Sequence, residues 1–82
     1  MTNQITLANV RSEFPVTKRM LYLDSAHQTP LARPVRAAIE EFLSEGYEMG
    51  GPKPVWLRRA EETRAQVAKF LKAAPNEIAF TK

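Results

Sequence analysis

The chain contains no cysteine, three glycines and one histidine. Without cysteine there is no disulfide to brace a small core and no thiolate to take a metal. That absence fits a reducing compartment, and cytoplasmic residence is the default expectation. A lone His27, with no second histidine near it, argues against a zinc site built by this chain. No stretch approaches the roughly 20 apolar residues that a membrane-spanning helix needs. The opening Met1-Thr2-Asn3-Gln4 also lacks the basic start and apolar run of a secretory signal.

What remains is ordinary globular material. The 82 residues are 44% hydrophobic and 26% charged, enough for one small domain and too apolar for disorder. A domain of this size buries only about 60% of the surface its unfolded chain exposes, so its margin of stability is thin. Twelve basic residues against nine acidic give a net charge of +3. The cations, among them Arg11, Lys18, Arg19, Arg33, Arg36, Arg58, Arg59, Arg64 and Lys69, are dispersed along the chain. Nucleic-acid binders gather such charge on one face and interleave it with aromatics, so this pattern reads as solvated helix surface.

Periodicity and punctuation predict five elements. Thr6 caps a short helix over Leu7 to Glu13, closed by Pro15. Met20-Leu21-Tyr22-Leu23 is a short strand candidate, and the small polar segment from Asp24 to Pro30 is a loop. Pro34 occupies a first-turn position, and Val35, Ala38, Ile39, Phe42 and Leu43 draw one apolar stripe along a helix that Gly46 is expected to end. Tyr47 to Lys53, with Gly50-Gly51-Pro52, is expected to be a loop. A longer helix runs from Pro54 to about Lys72, with Trp56, Ala60, Thr63, Val67, Phe70 and Leu71 as its buried face. Arg58 stands at pairing distance from Glu61 and Glu62. Ala73 to Glu77 then turns the chain into a last strand, Ile78-Ala79-Phe80-Thr81.

That last strand has no visible partner or cover, so the chain is expected to be the front of something larger. Taken alone, the chemical inventory names no reaction. Ser25 and Thr29 lie too close in sequence to His27 for the usual geometry of a nucleophile and its base. Gly50-Gly51 lacks the following Lys-Ser or Lys-Thr of a phosphate loop.

Order and spacing add a resemblance. Val10-Arg11-Ser12-Glu13-Phe14-Pro15 comes first, then Tyr22-Leu23-Asp24-Ser25-Ala26-His27-Gln28-Thr29-Pro30-Leu31, then Pro34-Val35 opening a helix. Ala60 to Leu71 and Asn76-Glu77-Ile78-Ala79-Phe80-Thr81 follow. The series resembles the N-terminal portion of class V aminotransferases and cysteine desulfurases, which are pyridoxal-phosphate enzymes of the aspartate-aminotransferase fold type. The Tyr-Leu-Asp-x-Ala-x-x-Thr-Pro core is the specific part; the helical stretch is generic.

The resemblance implies an α/β fold completed by a larger polypeptide, with this chain supplying mainly two helices and two short strands that do not pair with each other. Residues 1–31 would form an arm and a substrate-side loop, and residues 32–82 two helices leading into the large domain. Ala26, His27 and Gln28 are the implied substrate contacts. The family often carries Asn where this chain has Ser25, and Ala-Thr where it has His27-Gln28, so the departure falls on the substrate side. Pyridoxal 5'-phosphate would be held mainly by residues beyond Lys82, and no residue of this chain is assigned as catalytic. The implied partners are the remainder of the enzyme, a second copy in a homodimer and an amino-acid substrate. The alternative from the residues alone is a small helical module that binds a protein through Val35, Ile39, Phe42 and Trp56.

Overall fold

The computed structural model describes residues 5–82 and contains three α-helices, α1 (Leu7–Ser12), α2 (Arg33–Met49) and α3 (Lys53–Leu71). Two 3₁₀ turns, Pro15–Lys18 and Pro75–Glu77, complete the regular structure. The described residues divide into two compact units between Ser44 and Glu45, so that the division falls within α2.

In the first unit, Thr6 adopts extended backbone and its hydroxyl accepts the Asn9 amide at 3.1 Å, satisfying one of the donors that a helix start leaves open. Pro15 pre-sets the 3₁₀ turn that follows, and the Thr17 hydroxyl donates back to the Phe14 carbonyl at 2.9 Å. The start of α2 is tied to the end of α1. The Arg33 amide donates to the Glu13 carbonyl at 2.9 Å, and the Arg33 Nε donates to the Ser12 carbonyl at 3.0 Å. A first-turn helix amide is thereby satisfied from outside the helix.

Two expectations need correction here. The α/β description does not hold for this chain, because no strand occurs among the described residues. Met20 to Leu23 and Ile78 to Thr81 are irregular segments. Ile78 does have β-region dihedrals, φ −107° and ψ 126°, but a strand is defined by its ladder of hydrogen bonds, and neither segment has one. Likewise, Gly46 does not end α2. A glycine inside a helix costs about 1 kcal/mol relative to alanine, too little to stop a helix whose flanking residues propagate it. The stop comes at Gly50 and Gly51, with φ +68° and +87°, followed by Pro52. The expected loop from Tyr47 to Lys53 therefore shrinks to the residues between Met49 and Lys53.

In the second unit α3 starts behind Pro52 and ends at Lys72, whose left-handed backbone (φ 57°) turns the chain. The Ala73 amide reaches back to the Ala68 carbonyl at 2.8 Å and the Lys72 amide to the Lys69 carbonyl at 3.2 Å. These two bonds make a Schellman cap, in which the last carbonyls of the helix find donors after it ends. Ala68, only 1% exposed, is the buried hydrophobic residue at this corner, where α3 meets the Pro75–Glu77 turn.

The covered side of α3 is not a straight stripe. Near its start Val55, Trp56, Arg59 and Ala60 are sheltered; near its end Arg64, Val67 and Ala68 are. The cover passes from the residues before the helix to those after it, so the sheltered side moves around the cylinder. Phe70, 86% exposed, falls outside it; Leu71 shares the side of Val67 and Ala68 but is still 59% exposed, contrary to the apolar period, and Thr63 is exposed too. Much of the apolar face of α2 is also open: Val35, Ile39 and Leu43 are 46%, 45% and 60% exposed.

Candidate functional site

The segment from Asp24 to Pro30 forms a polar turn in the first unit, as its small residues demand. The Asp24 carbonyl accepts two amides, those of His27 and Gln28, each at 3.0 Å. The phenolic hydroxyl of Tyr22 donates to the Gln28 carbonyl from the other side of the turn. These contacts bring Ala26, His27 and Gln28 together at one exposed apex. No hydrogen bond or ion pair engages the His27 imidazole among the described residues, and neither Ser25 nor Thr29 is hydrogen-bonded to it. The apex can therefore offer an imidazole, an amide side chain and backbone groups to a polar ligand. The sequence places Tyr22 in a strand candidate, and nothing in its spacing announces its grip on Gln28.

A cleft of about 390 Å³ lies elsewhere in the same unit, lined by Pro15, Val16, Leu31 and Ala32 together with Arg33, Arg36, Ala37 and Glu40. Its charges are already engaged, since Arg36 pairs with Glu40 at 2.7 Å and Arg33 holds Ser12.

The strongest electrostatic constellation is in the second unit. The Glu45 carboxylate accepts both terminal nitrogens of Arg59, at 2.9 and 3.0 Å, and the indole N–H of Trp56 at 3.0 Å. Forked donation of this kind is charge-assisted and directional. The Arg59 guanidinium, and secondarily the Trp56 indole, hold the Glu45 carboxyl below its ordinary pKa. A carboxylate with a depressed folded-state pKa contributes stability that is present above its unfolded pKa and is lost as pH falls through the folded one. Acid titration is therefore expected to release Arg59 and Trp56 only below the usual carboxylate range. Emission from Trp56, the single tryptophan, should report the step, and Glu45→Gln should abolish it. An unchanged acid transition in Glu45→Gln would assign it elsewhere.

Farther along α3, Arg64 binds Glu61 at 3.0 Å, donates to the Ile78 carbonyl and lies 4.7 Å from the centre of the Phe80 ring. It fixes the returning chain on the helix. The expected Arg58–Glu62 pair is present at 3.9 Å, a long contact between exposed groups and worth little. Glu61 pairs with Arg64.

Similarity to known proteins gives this geometry a context. The chain is 35% identical over 79 residues to a probable cysteine desulfurase of Methanothermobacter thermautotrophicus, and 40% identical over 70 residues to a cysteine desulfurase of Dictyoglomus turgidum. It is 34% identical over 76 residues to an uncharacterized aminotransferase of Schizosaccharomyces pombe. These alignments cover 90%, 78% and 88% of the chain. Over most of its length the chain is similar to enzymes named aminotransferase and cysteine desulfurase. It spans only 20%, 17% and 19% of those relatives' own lengths. No family model and no solved structure matches it.

Enzymes of these names are generally pyridoxal-phosphate dependent, and such a site needs a phosphate cradle, a ring platform, an acid for the pyridine nitrogen and a lysine amine. The described residues do not assemble that set. The carboxylates of Glu40, Glu45 and Glu61 are committed to Arg36, Arg59 and Arg64, and Lys18, Lys53, Lys69 and Lys72 are all solvent-exposed.

Proposed function

We propose that the chain is the N-terminal part of a pyridoxal-phosphate-dependent enzyme that acts on an amino acid, in the manner of a class V aminotransferase or a cysteine desulfurase. The observation that carries the proposal is the 34–40% identity, extended over most of the chain, to proteins bearing those names. Two structural features support it. The Tyr-Leu-Asp-Ser-Ala-His-Gln-Thr-Pro segment forms an exposed, hydrogen-bonded turn rather than a buried connection. The partly exposed apolar residues Val35, Ile39 and Leu43 suit a chain whose core is completed by further polypeptide.

In this proposal residues 1–31 serve as an arm and substrate-side loop, and residues 32–82 carry α2 and α3 toward the large domain. The turn at Ala26, His27 and Gln28 faces the amino-acid substrate. Its part is to bind and orient: His27 can hold a proton at the imidazole, and the exposed backbone can accept or donate to the substrate's polar groups. Bound elsewhere in the completed enzyme, the cofactor supplies the electron sink for chemistry at the substrate's α-carbon. The active species is proposed to be a cytoplasmic homodimer.

The test is to express the chain joined to whatever the reading frame encodes beyond Lys82, load it with pyridoxal phosphate and remove the excess. The expected result is a stoichiometric visible absorption band, together with keto-acid formation from an amino acid or sulfide release from cysteine. A folded full-length protein that retains no cofactor would defeat the proposal.

A further inference from the structure

We infer that Tyr22 is a positioning residue for the substrate-side turn, acting through the hydrogen bond from its hydroxyl to the Gln28 carbonyl. The inference rests on the function proposed above, and it gives a role to Tyr22, the first residue of the Tyr-Leu-Asp-x-Ala-x-x-Thr-Pro core, to which the family resemblance assigns none.

Two attachments hold the turn. On one side the Asp24 carbonyl gathers the His27 and Gln28 amides, which winds the backbone tightly over Ser25 to His27. On the other, the Tyr22 hydroxyl reaches the Gln28 carbonyl six residues on. The first attachment shapes the turn; the second fixes it to the chain that enters it. Tyrosine suits the task because its ring is rigid and has only two side-chain torsions to freeze, while its polar tip donates a hydrogen bond. The ring is half-buried whereas Asp24 to Thr29 are exposed, so Tyr22 is the better-anchored end of the bond. Without the hydroxyl, Ala26, His27 and Gln28 would keep their turn but lose its fixed aim. A binding loop that must be ordered by its ligand loses affinity to that ordering.

The experiment compares the wild type with Tyr22→Phe, which keeps the ring and removes only the donor. In the full-length protein, NMR order parameters of the Ala26, His27 and Gln28 amides are expected to fall from about 0.85 to below about 0.6, while those of α3 stay unchanged. In the full-length, cofactor-loaded enzyme, KM for the amino acid is expected to rise about fivefold, the worth of one hydrogen bond, with kcat within about twofold. Unchanged order parameters would overturn the tether. Lowered order with an unchanged KM would overturn its role toward substrate. A full-length protein that takes up no cofactor would instead defeat the function proposed above and the substrate role with it, leaving the order parameters to decide the tether.

Discussion

Gly51→Ala is expected to destabilise the second unit by about 3 kcal/mol, well beyond the cost of the same change one residue earlier. Both glycines hold left-handed backbone, so an L-residue at either costs about 1–2 kcal/mol. At Gly50 that is the whole cost, because a Cβ there meets nothing within 4 Å. At Gly51 a Cβ would stand 3.0 Å from Cη2 and 3.1 Å from Cζ3 of Trp56. The ring cannot yield easily, since its N–H is held by Glu45. Displacing it adds about 1–3 kcal/mol of packing strain. Urea unfolding followed by Trp56 emission and by helical circular dichroism would measure both variants. Equal midpoints would mean that the indole does not constrain the turn.

Ala68→Leu should be strongly damaging to the end of α3. Ala68 is almost wholly enclosed where the helix meets the Pro75–Glu77 turn, and its own carbonyl accepts the Ala73 amide. Three extra carbons cannot enter without lifting the returning segment, which costs about 1–3 kcal/mol. Lys69→Leu, one residue on and exposed, is the control and should stay within about 0.5 kcal/mol. Arg64 gives the experiment a local readout. If the segment lifts, its guanidinium loses the Ile78 carbonyl and the Phe80 ring, and the ring-current shifts beside Phe80 disappear. Similar losses in the two variants would show that this corner is not packed as described.

The helices were legible because their signals are local. Thr6 stands before Leu7 with its hydroxyl in reach of Asn9, and Pro34 and the stripe from Val35 to Leu43 follow a 3.6-residue period. The turn carrying Ala26, His27 and Gln28 was legible for the same reason, since small polar residues favour turns. The features that differ from the sequence pattern depend on distant partners. Met20 to Leu23 and Ile78 to Thr81 have strand-like composition, yet composition cannot supply a neighbouring strand. Gly46 resembles a stop signal until the stronger Gly50-Gly51-Pro52 is weighed against it. Phe70 fits the apolar period of α3 but lies past the point where the cover has moved to another side. The Glu45 cluster joins residues 11 and 14 positions apart on two different helices, across the Gly50–Pro52 break that interrupts any helical period.

The end of α3 has a consequence of its own. Lys72 occupies a left-handed position that helix termini usually give to glycine, so the joint bears avoidable conformational strain with every molecule folded. Proteins only need to clear a stability threshold, so a costly joint of this kind can persist. The corner is closely packed yet holds a reserve of stability that a single exchange of Lys72 for a more permissive residue could recover.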